Sequence, residues 1–357
     1  MTPNRDDILQ ALGQVIDPEL RRPVTELDMV RNVEIEGGHV NVTIALTVAG
    51  CPLRSSFEDQ VSAVFRDVAG VDSVSLSFDV MTPEERAALT QKLRGGMQER
   101  SKGLSLDAAT RVLAVCSGKG GVGKSTLAAN LAVALSHRGQ RVGILDADVY
   151  GHSIPHLLGL HQKPVLVDRM IVPPVKGDLK LMSIGFFLDD NQPVMWRGPM
   201  LHRALEQFLS DVHWGELDVL VVDMPPGTGD VAISLGQLLP RAEAIVVTTP
   251  QPAAQEVAVR AGVMAQKTGM KLTGVVENMS GDVFGSGGGE RLAEELGVPL
   301  LGRVQLDPLV RECGDAGEPI AGAAPDSPTA QELGRIADAV VELRPGTIVK
   351  PLTLLSR

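Results

Sequence analysis

The rhythm of apolar positions changes about a third of the way along the chain. In the first 80 residues, apolar and polar residues alternate over 30–36 and again over 40–48, with Gly37-Gly38 between them, which predicts a β-hairpin. Helical spacing at 6–15 and 53–68, and a further short run at 74–78, complete a small α+β domain assigned to 1–81. Residues 82–108 break the pattern with Thr82-Pro83, a short charged helix, Gly95-Gly96 and the polar run MQERSKG, which is a linker signature. From Arg111 onward, aliphatic runs at 111–116, 141–146, 218–223, 243–249, 271–278 and 299–306 alternate with helical segments. Such spacing predicts an α/β domain over 109–357 with a doubly wound, mainly parallel sheet and sites at the C-terminal strand ends.

Composition sharpens this picture. Hydrophobic residues make up 44% of the 357 but aromatics only 3%, so the core must be built from Val, Leu, Ile and Ala, as suits a buried parallel sheet. A net charge of −11 argues against nucleic acid or an anionic membrane surface as a partner held by bulk electrostatics. The N-terminal MTPNRDDILQ has no apolar h-region, and no run approaches the roughly 18 apolar residues that would span a bilayer. Three cysteines, Cys51, Cys116 and Cys313, are widely spaced and odd in number, so no disulfide framework is expected. A reducing cytoplasm fits these features.

Between the strand at 111–116 and a helical run lies Gly118-Lys119-Gly120-Gly121-Val122-Gly123-Lys124-Ser125-Thr126, which matches GxxxxGK[ST]. Glycines let the backbone N–H groups turn inward onto phosphate oxygens, and the following helix adds its positive end. Lys124 is expected on the β and γ phosphates of ATP and the Ser125 hydroxyl on Mg²⁺. Lys119 is either a solvated loop lysine or a second phosphate-neutralising cation. Its place after the first glycine resembles the deviant P-loop of the group that includes the nitrogenase iron protein and bacterial positioning ATPases. That resemblance implies a homodimer in which Lys119 reaches the partner's nucleotide, as an arginine finger does.

Three carboxylates fall at strand ends, where they could hold Mg²⁺ or orient an attacking water: Asp146 and Asp148 in LDADVYG, and Asp223 in VVDMPPGTGD. Each could instead be a cap or turn former. Asp230 reads equally as a helix N-cap, and Asn278 as a base-edge contact or a turn former.

SGKGGVGKST, LDADVYGHSIP, MWRGPM, DMPPGTGD, TTPQ, ENMS, FGSGGGERLAEELG and the GDAG of 314–317 occur in that order, and together they resemble the Mrp/ApbC family of iron-sulfur cluster carrier ATPases. Asp17-Pro18-Glu19 and Ala49-Gly50-Cys51-Pro52 are similar to the small domain that precedes the ATPase in many members. The resemblance implies a slow ATPase that delivers clusters to client apoproteins. It also implies a Cys-x-x-Cys between ENMS and FGSGGG, yet here Gly281-Asp282-Val283 fills that stretch. Iron-sulfur clusters take thiolate ligands, usually four, so a cluster cannot be held there in the family's usual manner. Cys51, at the start of a helix whose dipole would lower its pKa, is the best remaining thiol. Cys116 and Cys313 read as packing residues.

A cluster carrier is therefore the first reading, and an ATP-driven dimerisation switch acting on a client without a cluster is the alternative. A membrane- or DNA-positioning ATPase is disfavoured, because Pro345 and Pro351 break any long amphipathic tail helix. His152 and His156 are four apart but Pro155 interrupts a shared helix face. The GSGGG of 285–289 could cradle a phosphate, or provide a flexible entry with Ser286 as helix cap.

Overall fold

A computed structural model describes residues 3–47, 54–95, 106, 107, 109–149, 151–168, 170–187, 198–239 and 241–343. Its strands in chain order are β1 (Val30–Glu36), β2 (His39–Leu46), β3 (Ser73–Val80), β4 (Arg111–Ser117), β5 (Val142–Asp146), β6 (Val165–Val167) and β7 (Met170–Val172). They continue with β8 (Val175–Lys176), β9 (Leu179–Ser183), β10 (Val219–Asp223), β11 (Glu243–Thr248), β12 (Lys271–Ser280) and β13 (Leu300–Gln305). Eight of them form a mainly parallel sheet in the order β13-β12-β11-β4-β10-β5-β9-β8, so the expected α/β class with helices between strands holds.

By contacts the chain forms two compact units. One comprises residues 1–110, 141–145 and 160–220. In it, β1 and β2 pair antiparallel around Gly37, whose φ of 63° suits a tight turn. β2 and β3 pair parallel across the helix Arg54–Phe65. Ile8, Leu12, Val42, Ile44, Phe57 and Val61 form the core, which also takes in Val167, Met170 and Val172 from β6 and β7. These two short strands, together with β8 and β9, are elements that the periodicity of the sequence does not announce. Lys180 on β9 is only 2% exposed. Its ammonium donates to the His213 carbonyl at 3.2 Å, and burial pushes its pKa down to about 7.

The second unit comprises residues 111–140, 146–159 and 221–357. Here β4, β11, β12 and β13 run parallel, every residue of β11 is buried, and the helices Lys124–Ser136, Pro252–Lys267, Gly288–Leu296 and Pro328–Glu342 flank them. Among the described residues no helix is long and apolar enough to cross a membrane.

Candidate nucleotide site

The loop after β4 closes onto the helix Lys124–Ser136 through two left-handed glycines, Gly121 at φ 77° and Gly123 at φ 80°. A side chain at either would be strained. Gly118 is needed for a different reason: a Cβ there would lie 2.2 Å from the Val257 backbone of the helix Pro252–Lys267. Ser117 Oγ donates to the Lys119 carbonyl at 3.1 Å, and the Lys119 side chain is left exposed at the loop's outer turn.

Lys124 is turned into the protein. Its Nζ lies 2.6 Å from Asp223 Oδ1 and 3.6 Å from Asp148 Oδ2, and it donates to Ser125 Oγ at 3.3 Å. The loop lysine, the adjacent hydroxyl and two of the three expected carboxylates are thereby brought together. Asp223 is fully buried, and burial raises its pKa against the pull of Lys124. Its Oδ2 has no hydrogen-bond partner, one of two such buried side-chain acceptors among the described residues, the other being Gln251 Oε1. An orphaned carboxylate oxygen beside a phosphate loop suits a hard cation with oxygen ligands, and Mg²⁺ fits this donor set.

Asp146 is also buried, but its carboxylate is engaged by backbone: Oδ1 accepts from the Asp148 N–H at 3.2 Å and Oδ2 from the Ile154 N–H at 3.3 Å. Asp148 in turn accepts from the Gly151 N–H at 3.0 Å. Asp146 thus shapes the turn that presents Asp148. Asn278 does reach the loop, donating from Nδ2 to the Val122 carbonyl at 2.8 Å.

Two cap expectations are corrected. The N-cap before Asp230–Leu238 is Gly229, whose extended backbone leaves Asp230 as the first helical residue. Ser286 does not cap Gly288–Leu296 either; the N-cap is Gly287 at φ 91°, a conformation that favours glycine. In place of a serine hydroxyl, the carboxylate of Glu277 takes the N–H groups of Gly287 at 3.2 Å and Gly289 at 2.5 Å. Glu277 is a residue that motif reading passed over. Its signal in the sequence is an acidic residue directly after the apolar Val275-Val276 of a buried strand.

Cys116 is buried in β4, and burial pushes its thiol up to about 12, which disqualifies it as a ready thiolate. Cys313 lies half-buried in the helix Pro308–Asp315 with its pKa also raised by burial. Cys51 lies outside the described residues, as do the first three residues of MWRGPM. Among the described residues no group of three or more His, Cys, Asp or Glu is placed to hold a metal ion by protein ligands alone.

Residues 108–341 match the family model described as NUBPL iron-transfer P-loop NTPase, and residues 5–76 match that of an iron-sulfur cluster assembly protein. An iron-sulfur cluster carrier protein of Mycobacterium leprae is 53% identical over 92% of this chain and 91% of its own length. Among solved structures, a nucleotide-binding protein from Archaeoglobus fulgidus in complex with ADP is similar at 36% identity and TM-score 0.50, over 58% of this chain and 86% of that one. The Pyrococcus furiosus cell division ATPase MinD is similar at 25% identity and TM-score 0.55, over 65% of this chain and 99% of that one. Matched by that family model over 108–341 and by a relative over 92% of its length, this chain belongs to the iron-transfer P-loop NTPase family.

Proposed function

We propose that this chain is a homodimeric, slowly turning-over ATPase that carries iron-sulfur clusters to client apoproteins in the cytoplasm. The observation that carries the nucleotide half is the buried constellation of Lys124, Asp223 and Asp148, with one carboxylate oxygen left without a partner. The carrier half is supported by the family match and by relatives that bear that name.

In this reading the backbone N–H groups of 118–126 take the phosphates of ATP, and Lys124 leaves its carboxylates for the β and γ phosphates. Ser125, Asp148 and Asp223 are the residues that would hold Mg²⁺, which when bound neutralises charge that develops on the phosphates. Asp223 and Asp148 orient the attacking water, and Asp146 acts by fixing the Asp148 turn. Hydrolysis here asks for positioning and charge neutralisation rather than covalent chemistry. Lys119, exposed on its own subunit, supplies its charge to the nucleotide of the second copy. Asn278 borders the base.

The division into 1–81, 82–108 and 109–357 is retained as the functional one, supported by the separate family matches at 5–76 and 108–341. The small domain is assigned to client docking.

The cluster is cargo, and its ligands are the part to test. Residues 279–287 contain no thiol, and burial pushes the Cys116 thiol up to about 12, so the leading ligand is Cys51, two per dimer, with the remaining positions taken by groups other than cysteine. Anaerobic reconstitution with iron and sulfide, followed by desalting, metal and sulfide analysis and an absorption spectrum, is expected to give about one cluster per dimer. That cluster should be lost in Cys51→Ser. Protein that hydrolyses ATP but stays cluster-free would overturn the carrier reading.

A further inference from the structure

We infer that Glu277 is a positioning residue for the nucleotide loop, acting through Asn278, and that GSGGG serves as the receptor for its buried carboxylate. The inference rests on the nucleotide-binding reading above and adds a residue to it.

Glu277 is fully buried at the last position where β12 pairs with β11, three residues before the strand ends. Oε1 accepts from Ser280 Oγ at 2.7 Å and from the Gly287 N–H, and Oε2 from the Gly289 N–H. Arg303 Nε stands 3.0 Å from Oε1, and the same guanidinium contacts Glu290. Burial pushes the carboxyl pKa up, but the Gly289 and Gly287 amides, Ser280 and Arg303 outweigh it and hold it below the ordinary range. A Cβ at Gly289 would lie 2.6 Å from the Glu277 Cβ. The glycines therefore let backbone amides close on an anion, as in a phosphate-binding nest, but the anion is internal. This also removes the segment as a second phosphate cradle.

The strand is irregular at the same point. β12 and β13 are in register at Glu277 opposite Arg303 and again at Ser280 opposite Gln305, with a shift between. Met279 sits at φ 58°, a left-handed conformation that is strained for its side chain. Bulges of this kind re-aim side chains, and this one aims Asn278 at the phosphate loop. Asn278 Nδ2 holds the Val122 carbonyl, and it lies 2.2 Å from where a Cβ on Gly123 would be. Ser280, Gly287 and Gly289 pin the far side of the bulge to one carboxylate. Asn278 is the link to Val122 and Gly123, whose backbone belongs to the phosphate loop.

The test is a double-mutant cycle on the full chain, read as the dissociation constants of ADP and of a non-hydrolysable ATP analogue. Glu277→Gln and Asn278→Ala are each expected to weaken binding about tenfold, the size of coupling seen within one hydrogen-bond network, and the double variant no further than Asn278→Ala alone. Turnover at saturating ATP should change much less than affinity. Arg303→Gln, which removes one donor at a half-exposed site, should show a smaller loss that also vanishes in the Asn278→Ala background, and it serves if Glu277→Gln does not fold. Losses that add across the two sites would mean a general structural role and would overturn the inference, as would wild-type affinity in both Glu277→Gln and Arg303→Gln. Wild-type protein that binds neither nucleotide would instead sink the nucleotide reading itself.

Discussion

Lys124 Nζ and Asp223 Oδ1 lie 2.6 Å apart, and both side chains are buried. An ammonium paired in this way is not available to phosphate, so the proposed function requires an exchange of partners on nucleotide entry, in which the lysine would move to the phosphates and the carboxylate would be left to a cation. ATP and Mg²⁺ should therefore bind cooperatively. Removing one partner of a buried pair costs about 3–5 kcal/mol, because the other charge is left uncompensated. Lys124→Ala is expected to lose tight nucleotide binding and to melt lower than wild type. Asp223→Asn frees the lysine, so it should retain ADP affinity without Mg²⁺ while hydrolysis falls by roughly a hundredfold or more. Isothermal titration with and without Mg²⁺ separates the two effects.

Lys119 offers a contrast within the same loop, since its side chain is exposed. In Lys119→Ala, ADP affinity of the monomer should stay within about twofold while turnover drops by about 10³, in the range that a trans cation supplies in phosphoryl transfer. Wild-type turnover in this variant would refute the trans-lysine role. Mixing Lys119→Ala with a Lys124→Ala partner should restore part of the activity, because the mixed dimer contains one intact site.

The steric role of Gly118 can be separated from its catalytic neighbourhood. A methyl group at 118 meets backbone 2.2 Å away, whereas at Gly120 nothing lies within 4 Å. Gly118→Ala should lower the melting temperature by several degrees, corresponding to an overpacking cost of about 1–3 kcal/mol, and Gly120→Ala should leave it nearly unchanged. Equal melting temperatures would contradict the packing of the helix Pro252–Lys267 on the loop.

Buried charge in the first unit sets a pH dependence. Lys180 has its pKa lowered from 10.5 to about 7, chiefly by burial and then by Arg21, with Asp17 and Glu19 pulling the other way. Between those two values the unfolded chain holds the proton more tightly than the folded one, so the Lys180 contribution to stability grows as pH rises from about 7 towards 10. Glu19, raised to about 7 by burial and by Asp17, contributes the opposite slope below that point. Lys180→Met should be neutral or up to about 2 kcal/mol more stable at pH 7. It should also flatten the rise above pH 7, as measured by urea unfolding across the pH series.

Cap positions show where reading a sequence reaches its limit. Ser286 and Asp230 are good capping residues by type, yet the chain places glycines at both N-caps. At Gly287 the cap donors are taken by a carboxylate ten residues upstream, and side-chain identity near a helix start carries no record of such a partner. The strands β6 to β9 were missed for a related reason. They span two to five residues each, too short for alternation to register, and β6 and β7 exist because Val167, Met170 and Val172 bury themselves in a core built from the first 93 residues.

Local chemistry alone determined the parallel sheet, the phosphate loop and the acidic strand ends, because each is written in contiguous residues: aliphatic runs, a glycine-lysine spacing, a carboxylate where a strand stops. The absence of a thiol pair between Asn278 and Gly285 was equally plain. Tertiary structure decided which charges meet. It buried Lys124 against Asp223, turned Asp146 to the backbone that presents Asp148, and closed two glycine amides on Glu277. These pairings join residues up to 99 positions apart, and only packing, which removes water from both partners at once, determines which buried donor answers which buried acceptor.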